Sequence, residues 1–293
     1  MTHILENHHL RVVIDDHGAQ LLSIVEKSSG TEYLWQGDAR YWRDRAILLF
    51  PVCGRLTEGR YTVNGKSYNM NIHGFIRNVD LTVEHEDSTT LTLSYRDTDD
   101  SREQYPYAFR YEVRFTLTDS TIRHTFRVTN TGETELPFGI GGHPGFNVPL
   151  AENTDFTDYY LEFGKVAPAR KLILTDKCFM TDKTEPFPLE DGRIYHLHHD
   201  MFDHDAIFLR DMDTSVTLKS DKTSRAVTVS YTNMPYLGLW HCPRTEAPYL
   251  CIEPWNGLPA DQDVVDDMAT KKYMNRLEPG KSKDFGFDIT IHA

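Results

Sequence analysis

Two of the dipeptides that set an ionisable side chain before a proline, His143-Pro144 and Glu253-Pro254, stand in segments that depart from an alternating background. Proline excludes the α region for the residue before it and holds that backbone extended, so each side chain is aimed reproducibly. An imidazole and a carboxylate are groups suited to exchanging protons with a substrate near neutrality. If Ala247 to Glu253 is a strand, Tyr249, Cys251 and Glu253 share one face while Leu250 and Ile252 share the other. A carboxylate then ends an otherwise apolar strand. Against this, a strand-end glutamate is ordinarily a surface residue, and a turn histidine is ordinarily capped by a backbone carbonyl.

Other chemistry-bearing residues also sit beside backbone punctuation. Gly141 and Gly142 precede His143 and leave room for close approach or a bulge. His73 is followed by Gly74. Arg55 and Arg77 lie near aromatic and glycine-rich turns, where a planar fork of donors suits sugar hydroxyls or a carboxylate. Asp205 opens the apolar run Ala206-Ile207-Phe208-Leu209, at an expected strand start. The segment from Tyr195 to Asp205 holds four histidines and three aspartates. Ligands crowded into one loop rarely close a cage without partners elsewhere, and H-E-x-x-H is absent, so no metal and no cofactor are expected. There is no G-x-S-x-G elbow and no glycine-rich nucleotide loop, and Cys53 has no identifiable orienting partner for a nucleophilic role.

The elements that must carry these residues read as strands. Phe109, Tyr111, Val113, Phe115 and Leu117 alternate with polar residues, as do Ile122, His124, Phe126 and Val128, and Thr118-Asp119-Ser120 joins the two runs as a hairpin. Similar alternation spans Val79 to Glu86, Leu91 to Arg96, Val227 to Tyr231 and Phe285 to Ile291. Asn64-Gly65 is a two-residue hairpin signal. Helix is expected only in short pieces, Asp99 to Tyr105 and Asp261 to Met274. The fold class is therefore all-β, with packed antiparallel sheets. Continuous alternation without a linker favours a single domain over residues 1–293.

Composition narrows the partners. Thirty-one basic against 44 acidic side chains give a net charge of −13, which repels phosphate backbones and anionic membranes, so neither nucleic acid nor a membrane is expected. Four cysteines without a C-x-x-C pair, and an N-terminus without a basic-then-apolar segment, lead to the expectation of a cytoplasmic protein with reduced thiols.

Taken together, Gly141-Gly142-His143-Pro144-Gly145-Phe146-Asn147-Val148-Pro149 and Cys251-Ile252-Glu253-Pro254-Trp255-Asn256-Gly257-Leu258-Pro259 resemble the aldose 1-epimerase (galactose mutarotase-like) family, and within it the LacX-like branch. The resemblance implies a β-supersandwich of antiparallel sheets and a sugar site in which Glu253 is the general base and His143 the general acid. It implies that His73 and Arg55 bind and polarise sugar oxygens, that Asp205, with Asp203 as competitor, binds a hydroxyl, and that Trp240 and Trp255 wall the ring. The substrate implied is an aldohexose. Some relatives act on hexose 6-phosphates, for which Arg55 and Arg77 would supply cations; a non-catalytic carbohydrate-binding protein is the alternative from another class. On this reading His143 holds its proton near neutrality, Glu253 stays charged, and the two act from opposite edges of one pyranose.

Overall fold

The computed structural model describes residues 1–293. Two large antiparallel sheets dominate it. One has nine strands, in the spatial order Ile194–His196, Tyr159–Phe163, Ser215–Ser220, Thr223–Thr232, Ser282–His292, Thr121–Asn130, Phe109–Thr118, Thr90–Arg96 and Thr82–Glu86. The other has seven: Met180–Pro186, Arg170–Leu174, Ile207–Arg210, Tyr236–Trp240, Tyr249–Asn256, Ile140–Asn147 and Ala46–Leu49. A four-stranded sheet, Thr2–Glu6 through Thr31–Glu32, and two two-stranded ladders complete the set.

The alternation read from sequence is the alternation of burial. Phe109, Tyr111, Val113, Phe115 and Leu117 are buried, and the intervening residues are partly or fully exposed, because one face of this strand meets the core and the other meets water. Asn64 and Gly65 both take positive φ in the tight Arg60–Val63 to Lys66–Asn69 hairpin. The strand expected over Val79 to Glu86 forms only from Thr82 and is exposed along its length, since it closes the edge of the sheet. One apolar cluster of 64 buried residues connects strands of both large sheets.

The helix expected near residue 99 forms as Asp99–Gln104, capped by Thr98, whose hydroxyl accepts from the Ser101 N–H at 3.1 Å. The helix expected over residues 261–274 does not form. Asp263 and Tyr273 take positive φ there, and neighbouring strands claim the backbone: Thr62 N–H donates to the Asp266 carbonyl at 2.8 Å, and Met268 N–H donates back to Thr62. Without an apolar stripe to bury, nothing favours helical pairing over these cross-chain bonds.

Candidate active site

The seven-stranded sheet builds the site. In the ladder between Ile140–Asn147 and Tyr249–Asn256, Gly141 faces Trp255 and Gly145 faces Cys251. The register is unbroken between those pairs, so His143 faces Glu253, and no bulge interrupts it. On the far side His143 pairs with Ile47, while Glu253 pairs with Gly238, which in turn pairs with Phe208. Five strands thus contribute one transverse row on one face: Ile47, His143, Glu253, Gly238, Phe208. Gly238 is required here by close approach. A Cβ on it would stand 3.1 Å from Phe208 Cε1 and 3.2 Å from Glu253 Cβ.

Glu253 lies inside the strand Tyr249–Asn256 rather than at its end, and is 1% exposed. Its Oε2 is 3.3 Å from His143 Nε2 without the alignment of a hydrogen bond. The two groups are neighbours, not residues on opposite edges of a ring-sized gap. Burial pushes the Glu253 carboxyl well above its ordinary value; the negative field of Asp205 adds to this, and the Trp255 indole N–H opposes it without meeting hydrogen-bond geometry. Burial likewise pushes His143 down to about 3. Burial thus disfavours the charged form of each group, opposite in direction to the charged Glu253 and protonated His143 expected from sequence, and Arg77 adds to the effect on His143. Glu253 Oε1 and His143 Nδ1 are buried and unpartnered.

His73 enters from the loop after the strand Lys66–Asn69. Its positive φ and that of Gly74 turn the chain so tightly that a Cβ on Gly74 would strike the Phe50 carbonyl, at 2.1 Å. His73 Nδ1 accepts the Gly54 N–H at 3.2 Å, which leaves the proton of the neutral ring on Nε2. Burial, then the proximity of His143 and the two arginines, holds this imidazole well below its ordinary range. It is a neutral donor and supplies no charge to Glu253.

These residues open onto a cavity of about 310 Å³ that is also lined by Arg55, Arg77, Asp205, Trp240 and Trp255. Asp205 is held on both oxygens: Oδ1 accepts from Trp240 Nε1 at 2.9 Å and from the Ala206 N–H at 3.0 Å, and Oδ2 accepts from the Cys178 thiol at 3.0 Å. Asp203 ends a short 3₁₀ turn and does not line the cavity. Arg55 is 3.7 Å from Asp205 and donates to the Lys177 carbonyl at 3.1 Å. Arg77 is ion-paired with Asp44. In the histidine-rich loop, His196 lies by Glu190, and His199 hydrogen-bonds His241 at 3.1 Å; Asp205 at its end lines the cavity, and its four histidines do not.

Trp42, Phe208 and Cys178 line the cavity and were not signalled as site residues. Trp42 lies over the His143 ring, centroids 4.8 Å apart, and is nearly perpendicular to Trp240. A glycine inside the apolar run Tyr236-Leu237-Gly238-Leu239-Trp240 is the available sequence signal for the close approach beneath Phe208. Nothing local distinguishes Trp42.

Residues 1–267 match the family described as Aldose 1-epimerase. The chain belongs to that family. The chromosomal LacX protein of Lactococcus lactis subsp. lactis is 35% identical over 99% of both chains. Among solved structures, a galactose mutarotase related enzyme from Lactobacillus acidophilus superposes with a TM-score of 0.95 at 33% identity, covering 100% of this chain and 98% of its own. A galactose mutarotase-like protein from Lactobacillus casei does so with 0.94 at 28% identity, over 100% of each. The fold is thus galactose mutarotase-like, and this member of the aldose 1-epimerase family resembles LacX. No helix is long and apolar enough to cross a membrane.

Proposed function

We propose that the whole chain acts as one aldose 1-epimerase domain that interconverts the α and β anomers of a free aldohexose, with Glu253 and His143 as its proton-transfer pair. The observation that carries this reading is the 3.3 Å approach of His143 Nε2 to Glu253 Oε2 beside a sugar-sized cavity. Ring opening moves one proton off the C1 hydroxyl and one onto the ring oxygen. Both oxygens are bonded to C1, so the acceptor and donor need to be neighbours.

The buried pair carries one proton. In the resting state it sits on the carboxyl and the imidazole is neutral; moving it to Nε2 gives carboxylate and imidazolium with no change in total protonation. Sugar hydroxyls placed against Glu253 favour the ionised arrangement by hydrogen bonding to the anion. Glu253 then takes the O1 proton as the C1–O5 bond breaks and C1=O1 forms, and His143 gives its proton to O5. Rotation about C1–C2 followed by the reverse transfers closes the other anomer. His73 Nε2–H and Arg55 donate to sugar oxygens, Asp205 accepts from a hydroxyl, and Trp42, Trp240 and Trp255 wall the ring.

A free sugar is favoured over a 6-phosphate by the state of the cations. Arg77 is committed to Asp44, and Arg55 is opposed by Asp205, so neither is an uncompensated charge awaiting a phosphate. Optical rotation of freshly dissolved α-glucose, α-galactose and their 6-phosphates, with and without protein, tests class and substrate together. Acceleration of a free hexose is the expected result; none for any sugar defeats the proposal.

A further inference from the structure

We propose that His143, Cys251 and Glu253 form a latent zinc site, and that Zn²⁺ bound there inhibits the enzyme by occupying its proton-transfer pair. Their ligand atoms, an imidazole nitrogen, a thiol sulfur and a carboxylate oxygen, all lie within 4.8 Å of one another, and all three residues are buried. Strand geometry makes the cluster: Cys251 and Glu253 are two apart on one strand face, and His143 is across from Glu253.

The spacing suits a metal. A tetrahedral ion with bonds of about 2.0 Å to nitrogen and oxygen has a ligand-to-ligand edge of about 3.3 Å. The Nε2–Oε2 separation is 3.3 Å. The sulfur, whose zinc bond is longer at about 2.3 Å, needs to close by little more than about 1 Å at most. Glu253 Oε1 is buried without a partner, so the carboxylate has coordination capacity that the protein leaves unused. His143 and Glu253 line the cavity, which supplies the fourth position for water. Three protein ligands with one open position is an arrangement zinc accepts readily, and a nitrogen–sulfur–oxygen set selects zinc over magnesium or calcium.

Charge balance also fits a buried place. Bound as thiolate, carboxylate and neutral imidazole, the three ligands carry two negative charges, so the dication is matched by two anions and no electron is transferred. Inhibition rests on the epimerase reading above; metal binding does not.

Metal-stripped protein titrated with Co²⁺ as a spectroscopic probe should bind one equivalent and develop a near-ultraviolet thiolate-to-cobalt band, which saturating hexose suppresses. Mg²⁺ should do neither. Zn²⁺, measured against a chromogenic chelator, should bind Cys251→Ala more weakly by more than about tenfold, with inhibition shifted equally, while the metal-free rate is retained. Co²⁺ binding without a thiolate band, or zinc inhibiting Cys251→Ala at wild-type concentrations, overturns the proposal. The cobalt band decides the site even if no sugar is epimerised or Cys251→Ala does not fold.

Discussion

His143 stands across the strand ladder from Glu253, and each is the residue before a proline. Pro144 and Pro254 cannot donate to the ladder, so backbone pairing lapses where the two side chains meet. The flanking pairs, Gly141 with Trp255 and Gly145 with Cys251, keep the register. The pair is therefore set by sheet geometry, not by a flexible loop, which suits groups that need a fixed separation.

Replacing Glu253 by Gln keeps the shape and removes the proton acceptor. The carboxyl is disfavoured as an anion where it is buried, so the neutral amide is tolerated and the fold is retained. Epimerisation should fall by about 10²–10⁴-fold. Polarimetry with circular dichroism as the folding control checks this, and a folded variant at the wild-type rate excludes Glu253 as a proton-transfer group.

The pH profile follows from the two opposed shifts. The pair is active while it holds one proton. With ordinary values of 4.5 and 6.5 for carboxyl and imidazole, it would lose that proton above 6.5. Burial instead raises Glu253 well above 4.5 and lowers His143 to about 3, so both limits of the one-proton state move outward and His143 does not titrate at the ordinary imidazole value of 6.5. In pH ranges where the protein stays folded, kcat/KM should be flat across 6.5; a titration centred there contradicts the assigned pair.

Cys178 is expected to act through Asp205. Burial, then the bond to Asp205, pushes its thiol up to about 12, so it remains a donor to Oδ2. Cys178→Ala should raise KM by about 2- to 10-fold, the worth of one hydrogen bond, with kcat little changed. Cys178→Ser should restore KM. An unchanged KM in the alanine variant would show that Asp205 is positioned by Trp240 and Ala206 alone.

Much of this architecture is legible in the sequence because its strands face water on one side and core on the other. The Phe109–Thr118 and Thr121–Asn130 hairpin announces itself by period two. Residues 261–274 mislead because their order comes from backbone bonds to Thr62, which leave no periodic trace. His143 and Glu253 stand out by their prolines, but their separation depends on register between strands about a hundred residues apart. Their protonation depends on burial, which charge pattern alone does not reveal. Trp42 joins the cavity from a loop and Gly238 acts by lacking a side chain, so neither advertises a role.

His124 offers a test of acid stability away from the cavity. It is buried in the nine-stranded sheet, stacked on Phe287 with centroids 4.2 Å apart, and its Nδ1 has no partner. Burial pushes its pKa down from 6.5 to about 3. The unfolded chain therefore binds a proton that the folded chain refuses as pH falls below 6.5, and stability is lost by about 1.4 kcal/mol per pH unit from this one group. His73 and His143 act in the same direction. His124→Phe preserves the stacked ring and removes one titration, so between pH 6.5 and 5 it should lose about 2 kcal/mol less than wild type. Urea unfolding at the two pH values measures the difference, with wild-type epimerase activity expected at pH 7. Equal losses in both proteins would mean that His124 is protonated in the folded state.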